Sequence, residues 1–465
     1  MKVSILHISD LHKEDSDNYD NLLQSLKDDC EKYVASGIQK PKIVVISGDL
    51  IKGGTTNEIS TQYSNVTCFI NQIVDFFLDG DKTRIVIVPG NHDIDWNESK
   101  QSMQREVDEN KKKNVLDLLS ANRSIRWSWK DFCFYQIAHN DKYNNRFALF
   151  SNFYNGFYGD DYSLNPDEQF KLYDIPQFGL TFIGFNSCYG NDHLNLSGII
   201  KPECISRASE KLRKFYSQGR LLIAVWHHNT IGLPFENNYM DKRVLRSMMD
   251  KHIQIGLHGH HHMCQATYEY KNVFEDDKLL IISAGTLYGT TKTLPSGTKR
   301  QYNLIEIETE EDKAKITLHS REDKSHGEYA IPSWGEGRIG DSSKSSWNTW
   351  IKQPTQPSIE EKIDLIIKDT EQNQDYNLGA KQLLKLDVEN LLVRKFLLEY
   401  LTKANDYQSI YKHFKKPQNN EEVISLLNAV VELNDPLKKE EILALDCVKN
   451  NTDRSVQHLV NQIKY

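Results

Sequence analysis

Along the first 300 residues, short apolar runs rich in Val and Ile recur: Val3 to Ser9, Lys42 to Ser47, Arg84 to Pro89, Leu180 to Asn186, Leu221 to Trp226, Ile253 to Leu257 and Leu279 to Ser283. Runs this short and continuous predict strands buried on both faces. Between several of them apolar residues return at helical spacing. Asn21 to Val34 carries Leu22, Leu23, Leu26 and Cys30 on one face, and Ser60 to Leu78 carries Val66, Phe69, Ile70, Ile73, Val74 and Phe77. Strand alternating with helix predicts an α/β core containing parallel strands.

From Ile94 to Gly179 that rhythm breaks. A polar helical segment, Glu98 to Leu119, precedes aromatic-rich sequence around Trp127, Trp129, Phe147, Phe150, Tyr154 and Tyr158. Residues 94–179 therefore read as a segment inserted over one end of the core. Later, Tyr302 to Glu306 and Lys315 to His319 predict antiparallel strands joined by the acidic turn Glu308 to Asp312. A first domain over residues 1–335 then gives way to Gly, Ser and Pro at 336–358, a linker composition. Residues 359–465 hold little Gly or Pro and repeat apolar positions at helical spacing, which predicts an all-α C-terminal domain. Helices are expected over Leu383 to Leu401, Glu421 to Leu433 and Lys438 to Lys449, with Ser358 and Glu361 as a capping box for the first helix of this domain. Helix pairs of this size would suit a short solenoid, although no repeat aligns in the sequence.

Composition narrows the function. The 465 residues carry 57 Lys plus Arg against 65 Asp plus Glu, a net charge of -8, which disfavours binding driven mainly by bulk attraction to phosphate. No run approaches the roughly 18 to 20 apolar residues of a membrane span, and the N-terminus lacks the apolar stretch of a signal peptide, so the cytoplasm is the expected location. Seven cysteines without a CxxC pair read as reduced, mostly buried thiols. Histidine is the exception to this ordinary picture, because seven of the 16 fall between His227 and His262.

Polar residues gather where the predicted strands end. The first run leads into Asp10-Leu11-His12, the second into Gly48-Asp49, the third into Gly90-Asn91-His92-Asp93. Ile223 to Trp226 leads into His227-His228-Asn229, and Ile253 to Leu257 into His258-Gly259-His260-His261-His262. In open α/β sheets the carboxyl ends of the strands form the ligand crevice, so the five exits can converge. The set is too rich in imidazole and carboxylate for a thiolate zinc site and exceeds the ligands one ion takes. Two metals sharing a carboxylate would use it fully.

The order D-x-H, G-D, G-N-H-D, H, G-H-x-H resembles the signature of the calcineurin-like metallophosphoesterase superfamily, with the five blocks spanning residues 10 to 262. The resemblance implies an α/β fold, a two-sheet sandwich flanked by helices. It implies that Asp10, His12 and His262 bind one divalent metal ion, that Asn91, His227 and His260 bind a second, and that Asp49 bridges them. His92 matches the family histidine that contacts the scissile phosphate and helps the leaving group depart, and Asp93 the carboxylate that orients this histidine. Asn91 joins His92 in stabilising the far side of the phosphorus. At His227-His228 the pattern favours the first as ligand, with His228 facing substrate or lying behind the ligands. His258 and His261 are spare, and His7, inside a strand, reads as a core residue. Manganese is the favoured metal, with iron, zinc and nickel suited to the same mixed donors.

The implied activity is hydrolysis of a phosphoester by in-line attack of a hydroxide held between two metal ions. The turn after Asp49 reads Leu50-Ile51-Lys52-Gly53-Gly54, without the arginine of the superfamily's Ser/Thr protein phosphatases. The block Ser9-Asp10-Leu11-His12 and the single histidine block after the fourth strand resemble the bacterial branch of phosphodiesterases and nucleases. A phosphodiesterase on a nucleotide or nucleic acid is therefore favoured, with a phosphomonoesterase on a small substrate as the alternative. Lys111 to Lys113, Arg207 to Arg220 and Lys412 to Lys416 are local basic stretches, and Trp127, Trp129, Tyr154 and Phe157 have the chemistry to stack on bases. The inserted segment would serve as a lid or as a nucleic-acid surface. The C-terminal helices would bring a protein partner, pair copies of the chain, or cap the core.

Overall fold

The computed structural model describes residues 2–12, 19–54, 56–107, 124–232, 239–271, 278–288, 294, 297–310, 312–325, 331–354 and 359–464. The chain divides into two compact units, Met1–Thr355 and Gln356–Tyr465.

The first unit opens with β1 (Lys2–Ile8), α1 (Asp20–Ala35), β2 (Ile43–Ile46), α2 (Thr56–Leu78) and β3 (Ile85–Ile87). The three strands lie side by side and parallel. Next come α3 (Trp96–Gln101), β4 (Met103–Arg105), β5 (Ile125–Ser128), β6 (Cys133–Ile137), α4 (Asn140–Asn145) and α5 (Ala148–Tyr158). The second half holds β7 (Phe170–Ile175), β8 (Leu180–Phe185), α6 (Pro202–Tyr216), β9 (Leu221–Val225), α7 (Arg243–Met249), β10 (Ile255–His258), β11 (Gln265–Tyr270) and β12 (Lys278–Ser283). It closes with β13 (Gln301–Thr309), β14 (Lys313–Asp323), β15 (Trp334–Glu336) and β16 (Ser346–Lys352).

Among the described residues these strands form two large sheets, in the orders β15-β14-β13-β1-β2-β3, with β16 also on β14, and β11-β12-β10-β9-β8-β7. The continuous apolar runs follow from burial on both faces. Leu221, Ile223 and Val225 of β9 point into the core shared with the first sheet, whereas Leu222 and Ala224 join the cluster under α6 and α7. The apolar stripes of α1 and α2 pack into the shared core as well. This is a sandwich of two sheets flanked by helices.

Three expectations for the first unit's elements need correction. The polar segment from Glu98 is helical only to Gln101, after which Met103–Arg105 pairs with Tyr135 to Ile137 of β6 and tertiary pairing overrides helix propensity; residues 108–123 lie outside the described residues. The inserted region ends before β7, whose alternating Phe170, Leu172 and polar neighbours make an edge strand of the second sheet. In the stretch read as a linker, Ser346–Lys352 is a strand on β14, its Trp347, Thr349 and Ile351 at least half-buried and alternating with the exposed Ser346, Asn348, Trp350 and Lys352. The Ser-rich flank hid that period of two.

The second unit is all helical, with α8 (Ile359–Asn373), α9 (Tyr376–Leu383), α10 (Leu391–Lys403), α11 (Tyr407–His413), α12 (Asn420–Leu433), α13 (Pro436–Leu443), α14 (Asp446–Lys449) and α15 (Arg454–Lys464). The helix expected over Leu383 to Leu401 is two, because Asn390 starts a new one by accepting the Leu392 and Val393 amides. Lys438 to Lys449 is likewise split between α13 and α14. The expected capping box falls on Ser358, outside the described residues.

A repeat that the sequence did not align is present in the helices. Each of α8, α10 and α12 is followed by a left-handed residue, Gln374 (φ 54°), Asn405 (φ 55°) and Asn434 (φ 47°). An aspartate comes next each time, Asp375, Asp406 or Asp435, whose carboxylate caps the following short helix. Counting back from the left-handed residue, the same offsets carry Ile366, Ile367 and Thr370, then Leu397, Leu398 and Leu401, then Leu426, Leu427 and Val430. Arg394 and Glu422, both buried, join α10 to α12 through hydrogen bonds of 2.9 and 2.7 Å. Three stacked helical hairpins of this kind make a short solenoid.

Candidate metal centre

The site is built from the loops that leave β1, β2, β3, β9 and β10. Backbone bonds tie the exits together: Asp10 N donates to Gly48 O at 3.1 Å, Leu11 N to Asp49 O at 2.8 Å, and Gly259 N to His227 O at 3.1 Å. The backbone is left-handed at Asp10 (φ 55°), His12 (φ 43°), Asp49 (φ 53°), His260 (φ 67°) and His262 (φ 56°). Each such residue costs on the order of 1–3 kcal/mol and persists only where its surroundings hold it. The loops also approach too closely for a side chain. A Cβ on Gly90 would stand 2.1 Å from Asp49 Oδ1, and one on Gly259 would stand 1.9 Å from Ser9 Oγ and 2.7 Å from Asp10 Oδ2.

Both carboxylates are divided in the same way. Asp49 Oδ1 accepts the His92 amide at 2.8 Å, while Oδ2 lies 3.3 Å from His227 Nε2 and 4.0 Å from His12 Nε2. Asp10 Oδ2 accepts the His260 amide at 3.1 Å, while Oδ1 lies 3.1 Å from His262 Nε2 and 3.7 Å from His12 Nε2. The ring nitrogens crowd each other, His12 Nε2 with His262 Nε2 at 3.4 Å and His227 Nε2 with His260 Nδ1 at 3.2 Å. Asn91 Oδ1 is 3.0 Å from His227 Nε2. Three groups of donors close enough to hold a metal ion result: Asp10, His12 and His262; Asp49, His227 and His260; and His12, Asp49 and His92.

The charge state suits cations. Burial opposes ionisation of Asp10 and Asp49, yet His262 beside the first and His227 beside the second hold both carboxyls below the usual carboxylate range. Burial lowers His12 to about 4 and His260, also facing His227, to about 3, so both rings offer lone pairs at neutral pH. Burial works against the His227 proton as well, but Asp49 outweighs it and raises the imidazole to about 9. That proton supplies the positive charge two buried carboxylates require. Asp10 Oδ1 and His260 Nε2 are buried without a hydrogen-bond partner among the described residues. Orphaned oxygen and nitrogen beside close-set lone pairs fit divalent ions with mixed O and N ligands.

All seven expected ligands thus meet in one cluster, and His227 rather than His228 is the member of the fourth block within it. His228 is buried behind, its Nδ1 2.9 Å from Ser187 Oγ. His258 stacks on Trp226, and His261 lines a neighbouring pocket with Asn229, Thr230 and Gln265. His7 bonds Ser47 inside the core. Of the aromatics with stacking chemistry, Tyr154 and Phe157 are buried, whereas Trp129 is 76% exposed beside Phe132 at the tip of the β5–β6 hairpin.

Asp93 departs from the expectation. Its Oδ2 accepts the Gly90 amide at 2.8 Å and the Leu50 amide at 3.2 Å, and its Oδ1 accepts the Tyr63 hydroxyl at 3.1 Å. Burial, then the Asp49 charge, pushes this carboxyl up to about 7. It braces the two loops that carry Asp49 and Asn91, while His92 Nδ1 is engaged by the Lys52 carbonyl at 2.7 Å. Sequence reasoning missed Gln62 and Tyr63, which bound these parts from α2. Their only signal was polarity at positions 62 and 63 of a stripe shared with Ile59 and Val66.

Residues 3–264 match the family model described as calcineurin-like phosphoesterase. No curated protein matches the chain. Among solved structures, a dimetal phosphatase from Danio rerio is similar at 12% identity over 68% of this chain and 95% of that one, with a TM-score of 0.38. The calcineurin-like phosphoesterase YfkN from Bacillus subtilis is similar at 13% identity over 80% and 97%, with a TM-score of 0.26. The family match covers more than half of the chain, and with it the chain belongs to the calcineurin-like phosphoesterase family, metal-dependent phosphoester hydrolases with a dinuclear divalent centre.

Proposed function

We propose that the protein is a phosphodiesterase acting on a nucleotide or nucleic acid. Asp10, His12 and His262 would hold one divalent ion, Asn91, His227 and His260 the other, and Asp49 would be shared. The observation that carries this reading is the Asp49 carboxylate, with Oδ1 fixed by the His92 amide and Oδ2 turned to both His12 and His227. Two bound divalent ions supply Lewis acidity to the phosphoryl oxygens and acidify water at neutral pH.

His92 Nδ1 donates to the Lys52 carbonyl, because a carbonyl only accepts, and this leaves Nε2 for proton transfer. As the oxygen of water bonds to phosphorus and the ester P–O bond breaks, the leaving oxygen keeps the bonding electron pair. It takes a proton from His92 Nε2, and the proton lost by water passes to solvent. Asn91 and His92 stabilise the far side of the phosphorus. Asp93 holds the loops in place without touching the imidazole.

Diester preference rests on the turn Leu50-Ile51-Lys52-Gly53-Gly54, which lacks an arginine to receive a second phosphate charge. Protein purified with manganese should cleave bis-nitrophenyl phosphate, cyclic nucleotides or single-stranded DNA faster than nitrophenyl phosphate. Preference for the monoester overturns the diester reading. Asp49→Ala should lose both metals by elemental analysis. No described helix is long and apolar enough to cross a membrane, and all seven cysteines are unpaired, which supports a reducing compartment such as the cytoplasm.

A second reading, recruitment to a protein partner, draws on the hairpin repeat, since solenoids offer extended surfaces for binding. Light scattering on the whole chain distinguishes it from self-association, which would show as a dimer mass.

A further inference from the structure

Resting on the proton-donor reading of His92, we propose that Gln62 is a positioning residue that holds this histidine in register by clamping the turn whose carbonyl it binds. Gln62 sits on α2 in the buried stripe between Ile59 and Val66, where an apolar side chain would pack without needing partners. Its amide instead closes three hydrogen bonds on one turn: Oε1 accepts from Lys52 N at 3.0 Å and from Gly53 N at 3.1 Å, and Nε2 donates to Gly53 O at 3.0 Å. The Lys52 carbonyl then accepts from His92 Nδ1 at 2.7 Å. Gly53 is left-handed (φ 84°), and a Cβ there would stand 3.0 Å from the His92 carbonyl, so the turn and the histidine loop are fitted closely.

Two neighbours on one helix therefore divide the work. Tyr63 reaches Asp93 and braces the backbone around Asn91, and Gln62 fixes the acceptor that orients the His92 ring. A ring held by a carbonyl keeps one tautomer and one rotation, which places Nε2 on the leaving oxygen. Losing the clamp frees the turn and disorders that aim, while leaving the metal ligands in place.

The test compares whole protein and its variants on matched nitrophenyl and phenyl esters of the same phosphate, because only the poorer leaving group needs a proton. Gln62→Leu should lower kcat on the phenyl ester about ten-fold, part of the 10²–10⁴ range of general acid catalysis, and change the nitrophenyl ester less than about two-fold. KM and metal content should stay unchanged, and Gln62→Glu, which keeps the acceptor oxygen but sets a second oxygen against the Gly53 carbonyl, should restore the rate only in part. Gly53→Ala, a half-buried position, should give the same selective loss by displacing the turn, and decides the matter if Gln62→Leu fails to fold. Equal losses on both esters, or loss of metal, overturn the proposal. His92→Ala run alongside separates the two ideas: selectivity in His92→Ala without it in the Gln62 and Gly53 variants sinks only the clamp, and its absence in His92→Ala sinks the proton-donor reading and the clamp with it.

Discussion

Asp49 and His227 meet with 3.3 Å between Oδ2 and Nε2, both side chains almost wholly removed from solvent. The Asp49 charge favours a proton on His227, which a metal ion bound between them would displace. Since His227 is raised to about 9 in the metal-free protein, manganese binding near pH 7 should release protons, and affinity should rise with pH until that value is passed. Calorimetry in buffers of different ionisation heat checks this. Heats that do not vary with the buffer would contradict it.

Gly90→Ala should cripple the site from the second coordination layer. The added methyl would overlap Asp49 Oδ1, which has no room to retreat while it accepts the His92 amide. We expect a destabilisation of roughly 1–3 kcal/mol, as for other overpacked positions, together with a fall in bound metal. Thermal melting and elemental analysis report the two effects separately.

Glu306 offers a pH dependence outside the candidate metal centre. Burial works to raise its carboxyl, but hydrogen bonds from His319 and Lys2 and from the Gln39 amide bring it down to about 2. A depressed folded value means that the stabilisation is complete above the ordinary carboxyl range, near 4.5, and is lost as pH falls through about 2. Glu306→Gln should therefore be less stable than the parent at pH 7, with the gap narrowing below pH 4.5. Urea midpoints measured down to pH 3 would show the trend, and a gap constant with pH would refute it.

In the helical unit, Asp406→Ala removes the side chain that accepts the Ser409 amide at the start of α11. A lost cap of this kind costs about 1 kcal/mol. Asn405→Gly, at a left-handed position, should change stability by only a few tenths, whereas Asn405→Val should cost about 1 kcal/mol or more. Denaturant unfolding of the three variants orders them.

Much of the candidate centre was legible because its residues follow closely on apolar runs, and such runs end where parallel strands end. The choice between His227 and His228 was also within reach: Ile223 and Val225 face the shared core, and the period of two carries that face on to His227. The orientation of His92 was not, since its partner is a backbone carbonyl, for which side-chain identity at Lys52 carries no signal. Gln62 was hidden by the apolar stripe around it, and the β16 strand by the serines before it. The helical repeat escaped because its marks are a left-handed Gln or Asn and a capping Asp, which stand outside the apolar pattern that reveals helices.

That repeat has a consequence for how such a chain changes over time. Its unit is one hairpin of roughly 30 residues, each resting on its neighbours through the same offsets and, between the second and third long helices, through Arg394 and Glu422. Duplication or loss of a whole hairpin preserves every internal contact rule, so the C-terminal unit can lengthen or shorten in fixed steps. Its length can drift by copying DNA in frame, while the phosphoesterase half, locked by glycines that admit no side chain, stays as it is.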